Sequence, residues 1–258
     1  MRRYIIGLFL CMVSLSSFAQ FTHGTTGLLE MPTADMQKDK TFLFGGGYLH
    51  NTVTPPRWYY NTWNYYINIT IFPWLEVAYG CTIFNEHLDY LGNYIHMKNQ
   101  DRNYSIRLRL WKEGWWKSWT PQIVVGSNDF GTSGGEVRGV SVNETGNGFW
   151  NRYFIAVTKH IKWQTIGELG IHTSYLYNSR KDNPLNGPAF GMNFRFALPQ
   201  SSFWCRAVNG INLMAEYDSK DFNIGGSYSI WKDRINAFLE LSRCKYPSAG
   251  VCLRICLK

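Results

Sequence analysis

Hydrophobic and polar positions alternate with a period of two through most of the chain, in runs of about nine or ten residues closed by turn residues. Leu75, Val77, Tyr79, Cys81 and Ile83 fall on one face of such a run, with Glu76, Ala78, Gly80 and Thr82 on the other. The run before it sets Tyr65, Ile67, Ile69 and Ile71 against Asn64, Tyr66, Asn68 and Thr70. Phe72-Pro73-Trp74 joins the two as a tight turn, in which Pro73 stops the ladder. Tyr104, Ile106, Leu108 and Leu110 alternate with Ser105, Arg107 and Arg109. Similar runs follow at 190–196, 211–217, 222–230, 235–241 and 251–257, and weaker ones at 41–49, 121–128, 152–159 and 164–175.

The pattern predicts about twelve strands. Runs of this length suit strands that cross a bilayer at a tilt, and an even number suits a closed barrel with both ends on one side. The expected fold class is all-β, an antiparallel up-and-down transmembrane β-barrel. Connection lengths agree. Those at 50–62, 85–101, 129–150 and 176–188 are long and would lie outside; those at 73–74, 160–163 and 231–234 are short and would lie inside. Residues 198–209, a longish inner link, and 219–221, a short outer one, break the asymmetry.

The beginning of the chain follows another rule. Arg2 and Arg3 precede an apolar stretch, Ile5 to Leu15, and Ser17-Phe18-Ala19 has the small-x-small form of a cleavage site. Residues 1–19 are expected to be a signal peptide, and 20–258 one barrel domain with an irregular lead-in over 20–40. No later stretch has the roughly 20 continuous apolar residues of a membrane helix. The expected location is the bacterial outer membrane.

Charge refines the picture. Glu76, Arg107, Arg109, Glu168, Arg195, Glu216, Glu240 and Arg254 each alternate out of phase with larger apolar neighbours. A lipid-facing charge is expensive, so these side chains should face the lumen, and their mixed signs suggest ion pairs and a partly filled pore. A soluble β-protein with these charges in water produces the same alternation. Aromatic and charged residues each make up 17% of the chain, which favours the membrane reading. Trp58, Tyr59, Tyr60 and Trp63, and then Trp111, Trp115, Trp116 and Trp119, crowd the strand ends, where interfacial girdles or stacking on sugar rings would place them. Loss of Arg2 and Arg3 takes the formal charge from +8 to +6, a mild excess that ordinary loop charge explains.

No catalytic motif emerges. There is no G-x-S-x-G, H-E-x-x-H or phosphate loop. His160 reads as an interfacial polar residue, and His87 and His96 stand too far apart in sequence to suggest a metal site. Glu168, Glu216 and Glu240 read as structural rather than as glycosidase carboxylates. Of the cysteines after the leader, Cys81, Cys205, Cys244, Cys252 and Cys256, none has zinc or redox spacing. Cys252 and Cys256 would lie about 13 Å apart on a strand, too far to bridge, while Cys244 with Cys252 across a hairpin stays open. Neither an enzyme, a cofactor nor a bound metal is expected.

Four segments in order carry a resemblance. Gly24-Thr25-Thr26-Gly27-Leu28-Leu29-Glu30-Met31-Pro32-Thr33-Ala34 resembles the opening motif of YjbH-type proteins, outer-membrane barrels associated with exopolysaccharide and capsule production. Asp101-Arg102 with Ser105 to Leu110, then Pro121 to Gly126 with Asn128 to Thr132, and Tyr153 to His160 resemble the blocks that follow. The resemblance covers roughly residues 24–160. Many members are much longer, and this chain has room for one barrel. Gly24, Gly27 and Pro32 would shape a lead-in that tucks into the barrel mouth or lumen. Asp129 and Thr132, in a turn before a long outer loop, join Trp58, Tyr59 and Tyr60 as candidate polymer contacts.

The resemblance implies a non-catalytic accessory role in exopolysaccharide or capsule biosynthesis or export. Its expected partners are outer-membrane lipids, an acidic or neutral polysaccharide and other export proteins, with no nucleic acid. The alternatives are a porin-like channel for small solutes, a barrel enzyme acting on lipid or glycan, and a secreted soluble carbohydrate-binding β-protein.

Overall fold

The computed structural model describes residues 22–54, 61–90, 93–130, 136–137, 140–141, 149–178, 186–199, 201–231 and 233–257. The expected signal peptide lies outside them. The chain passes through β1 (Thr41–Leu49), β2 (Thr62–Phe72), β3 (Leu75–Tyr90), β4 (Asn93–Trp111) and β5 (Gln122–Asn128). A small hairpin follows, β6 (Glu136–Val137) with β7 (Val140–Ser141), which pair only with each other. Then come β8 (Arg152–Trp163), β9 (Gly167–Tyr177), β10 (Gly187–Phe196), the short helix α1 (Phe203–Val208), β11 (Ile211–Tyr217), β12 (Phe222–Ile230), β13 (Ile235–Ser242) and β14 (Tyr246–Cys256).

Twelve of these strands form one closed antiparallel barrel, each hydrogen-bonded to its neighbours in chain order apart from the step from β5 to β8. β1 pairs with β14, from Thr41↔Cys256 to Tyr48↔Ala249, and this closure leaves no open sheet edge. β1 begins and β14 ends at the same end of the barrel, called the lower end below.

Two connections differ from the sequence expectation. The outer loop expected at 85–101 is instead a long hairpin, because β3 and β4 stay paired from Ile83↔Gln100 to Tyr90↔Asn93. Side-chain alternation fades there, but backbone pairing does not depend on it. The inner turn expected at 160–163 lies at 164–166, because β8 keeps pairing with β9 as far as Trp163↔Gly167. The lower link before β11 carries α1, capped by the Ser202 hydroxyl, which accepts from Cys205 N at 3.2 Å.

Period-two alternation sorts the wall into two surfaces. The outward rows are apolar and exposed, as at Ile69, Ile71, Ile155, Ile171, Phe190, Leu213, Leu239 and Val251. Trp74, Trp163 and Trp231 stand exposed near the lower end, and Trp63, Tyr153, Tyr175 and Tyr177 near the upper end. An apolar band between two aromatic rims is compatible with a bilayer-facing surface. No described helix is long and apolar enough to cross a membrane.

The inward rows are polar and buried, including Asn64, Asn68, Glu76, Asn103, Arg107, His172 and Asn212. Apolar patches interrupt them. Leu43, Tyr66, Phe84, Trp150 and Phe238 form one cluster, and Val124, Phe154, Ala156 and Leu176 pack against Met31, Ala34 and Met36 in another. The lumen is thus packed like a protein core.

Candidate functional site

The packing comes from the lead-in. Residues 22–37 are all buried inside the barrel, and the inward polar groups hold them. Asn64 Nδ2 donates to Thr22 O at 3.1 Å in the upper half, and Asn68 Nδ2 to Gly24 O at 2.8 Å further down. Gly24 has φ +67°, and a Cβ there would lie 2.6 Å from Tyr66 Cβ, so this step needs glycine. Near the lower end the Glu76 carboxylate accepts from Thr26 N and Thr26 Oγ1, both at 2.7 Å.

The segment then turns back upward. Gly27 bridges to Pro32, and Leu28 N donates to Met31 O at 3.0 Å, closing a tight loop. The loop presents three successive N–H groups to one carboxylate. Glu216 accepts from Leu29 N at 3.0 Å, Glu30 N at 2.7 Å and Met31 N at 3.2 Å. Such a run of N–H groups is an anion nest, here filled by a side chain of the wall. Arg152 Nη1 donates to Glu30 O at 2.7 Å. Descending again, Ala34 N donates to Thr158 Oγ1 at 2.9 Å, and Arg107 Nη2 reaches Thr33 O and, at 2.9 Å, Asp35 O.

The eight charges predicted from alternation all lie on inward rows, with different roles. Glu76, Arg107 and Glu216 grip the plug. Arg195 and Glu168 stand opposite each other in the β9–β10 register, and Glu168 also meets Lys162 at 3.2 Å. Arg254 Nε donates to Asp233 O at 3.0 Å in the lower turn before β13. Arg109 lies one inward position below Arg107 and is partly buried. Glu240 is wholly buried, and neither carboxylate oxygen has a hydrogen-bond partner among the described residues.

Sequence reasoning missed the lower latch. β5 is short and its pairing with β8 stops at Thr158, which leaves the next residues of β8 without that neighbour. Glu113, in the 112–121 link, covers the gap. Its carboxylate accepts from His160 N at 3.0 Å, contacts His160 Nδ1 at 2.7 Å and accepts from Lys159 Nζ at 2.9 Å. His160 Nε2 lies 3.4 Å from Asp35 Oδ1 of the plug. Burial alone would raise the Glu113 carboxyl, but hydrogen bonds from His160 and Lys159 outweigh it and hold it down to about 2. His160 is thus a bridge between link and plug, beyond the interfacial role expected of it.

At the upper mouth the plug forms the floor of a cavity of about 140 Å³. His23 and Glu30 come from the plug, Thr52 to Thr54 from the β1–β2 connection, and Phe149 and Trp150 from the approach to β8. Asp218, Lys220 and Asp221 in the β11–β12 turn and Arg243 in the β13–β14 turn complete the wall. Trp150 meets His23 edge-on at 5.4 Å and Phe149 at 5.0 Å. Its Nε1 is buried and has no acceptor among the described residues.

The predicted polymer contacts fare differently. Trp58, Tyr59, Tyr60 and Thr132 lie outside the described residues. Asp129 is not an exposed loop residue. It is buried with φ +54°, and its carbonyl accepts from Asn151 Nδ2 at 2.8 Å. The left-handed turn just after β5 carries it inward. Cys81, Cys205, Cys244, Cys252 and Cys256 are all free; Cys252 is buried and Cys244 exposed, so the open Cys244–Cys252 pairing is not formed. His87 and His96, separated in sequence, are opposite in the β3–β4 register. No group of three or more ligating side chains that could hold a metal occurs among the described residues.

No curated protein matches the chain. A family model does: that of YjbH, described as exopolysaccharide biosynthesis protein YbjH, matches residues 19–225. The match takes in the plug, its grip residues Glu76, Arg107 and Glu216, and most of the cup, and runs well beyond the segments that carried the resemblance. The chain therefore belongs to the YjbH family of exopolysaccharide biosynthesis proteins.

Proposed function

We propose that this protein is an outer-membrane barrel that assists export or surface assembly of an exopolysaccharide by binding polymer at its outer mouth, without a covalent step. The observation that carries the reading is the filled lumen. Residues 22–37 occupy the barrel interior, held by Glu76, Arg107 and Glu216. A lumen packed in this way favours a binding platform over a free conduit for solutes. The exposed apolar band between aromatic rims supports the membrane location, since a water-soluble β-protein would not expose so continuous an apolar surface. The cup at the upper mouth combines aromatic and charged side chains, which suits contact with polymer. With both barrel ends below, the upper mouth faces outward.

The test has two parts. Purified outer membranes should contain the protein in a form that migrates compactly on a gel until heated. Cells lacking it should lose surface polymer, and cells expressing it again should regain the polymer. Recovery of the protein from the soluble periplasm, or unchanged polymer on deletion, would remove the proposal.

A further inference from the structure

We infer that the cup at the upper mouth is a saccharide subsite that seats a single sugar unit of the polymer, an inference that rests on the polymer-binding role proposed above. The cavity of about 140 Å³ holds the equivalent of several waters, room on the scale of one sugar ring. Its wall has two characters. Phe149, Trp150 and His23 form an aromatic side at the approach to β8. Asp218, Lys220 and Arg243 come from two turns several strands away around the mouth. A sugar ring has the matching duality, an apolar C–H face and a rim of hydroxyls that donate and accept.

The charges narrow the ligand class. Among the described residues the lining carries both acids, Glu30, Asp218 and Asp221, and bases, Arg152, Lys220 and Arg243. A phosphate would want an excess of cations and a metal ion an excess of carboxylates. A polyhydroxylated ligand wants both donors and acceptors. Arg243 Nε already donates to Asp221 Oδ2 at 2.9 Å, and Asp218 Oδ1 accepts from Lys220 N and Asp221 N at 2.9 and 2.8 Å. These groups are preoriented, which lowers the cost of ordering them around a ligand. Among the described residues Trp150 Nε1 has no acceptor, and a bound hydroxyl supplies one once the ring turns toward it.

The full-length protein, folded in detergent, would be titrated with glucose, galactose, mannose, N-acetylglucosamine and glucuronate, with binding read by saturation-transfer NMR. At least one should bind saturably. Trp150→Phe should weaken that sugar by up to about tenfold, the size of one hydrogen bond. Thr52→Trp, which fills the cup from the β1–β2 connection, should abolish binding while heat-modifiability stays intact. Asp218→Asn keeps the turn's acceptor oxygen and tests the charge. Absence of saturable binding by every sugar to folded protein overturns the inference. So does binding that survives Thr52→Trp, which would place the site elsewhere. Because surface polymer in deletion cells is measured separately, loss of the cup reading and loss of the export role are distinguishable.

Discussion

Arg107 and Glu76 stand directly opposite each other on β4 and β3, and Arg107 Nη1 lies 3.2 Å from both carboxylate oxygens with neither side chain exposed at all. Each also holds the plug, Glu76 through Thr26 and Arg107 through the carbonyls of Thr33 and Asp35. One ion pair therefore joins two wall strands to both descending arms of the lead-in. The remaining acceptor capacity of Glu76 is taken by Asn68 Nδ2 at 2.9 Å, so both charges are compensated by hydrogen bonds as well as by each other.

Removing one member should cost far more than removing both. Arg107→Met leaves a buried carboxylate and two carbonyls without their donor, and should destabilise the barrel by about 3–5 kcal/mol. Adding Glu76→Gln to it should recover part of that loss. Urea unfolding of the barrel in lipid vesicles checks this. A single variant as stable as the parent would mean that water replaces the lost partner.

Glu216 should govern the upper loop of the plug separately from the barrel. In Glu216→Gln the charge is gone and an amide N–H₂ competes for a position that now faces backbone N–H groups. Each charge-assisted hydrogen bond is worth about 1.5–3 kcal/mol, so the loop should open locally. Hydrogen exchange at residues 28–31 should accelerate while the strand amides stay protected. Equal acceleration throughout would show that plug and barrel open as one unit.

Two glycines at the contact between plug and wall, Gly24 of the plug and Gly191 of β10, should respond unequally. Gly24→Ala places a Cβ 2.6 Å from Tyr66 Cβ at φ +67°, where neither the backbone nor the near part of Tyr66 can yield. The left-handed penalty is about 1 kcal/mol or more, and overpacking adds about 1–3. Gly191→Ala meets Leu28 Cδ1, the far end of a flexible side chain that can rotate away. Denaturation midpoints should rank the parent first, Gly191→Ala next and Gly24→Ala last, and the reverse order of the variants would contradict this contact geometry.

The barrel was legible because alternation is a local property. Glu76 and Arg107 face inward for the same reason that Val77 and Leu108 face outward, and neighbouring residues reveal it. The plug was only half legible. The glycines and proline between Gly24 and Pro32 exclude a regular strand, but the partner of Glu30 N is Glu216, 186 positions away, and no local pattern links them. His160 and Glu113 were missed for that reason too, since their contact depends on β5 ending before β8 does. Asp129 sits in the turn the motif indicates, but its burial was not legible, because a turn motif fixes backbone shape without saying which way the turn folds.

Glu113 carries a pH prediction. Its carboxyl is held down to about 2 from an ordinary 4.5. A depressed acid contributes stability that is fully present above its unfolded value and is lost as pH falls through the folded one. The lower latch should therefore hold at full strength above about 4.5 and weaken progressively toward 2. The stability gap between the parent and Glu113→Gln should be constant from about 4.5 to neutral pH and close below that window. A gap that changed between neutral pH and 5 would assign the effect to another group.

The parent protein in planar bilayers should show little steady conductance, because Arg107, Glu216 and Arg152 each bond the plug backbone across the lumen. Excising residues 22–37 removes those partners but also exposes the inward row to water, which can solvate the freed charges in place of the plug. The barrel should therefore survive the excision and conduct as an open pore. Glu216→Gln, which frees only the upper loop, should give brief openings between these limits. If the parent conducts as well as the excised form, the plug leaves the lumen in the membrane and the protein works as a channel; if the excised form is folded and silent, the wall clusters around Tyr66 and Phe154 close the lumen unaided.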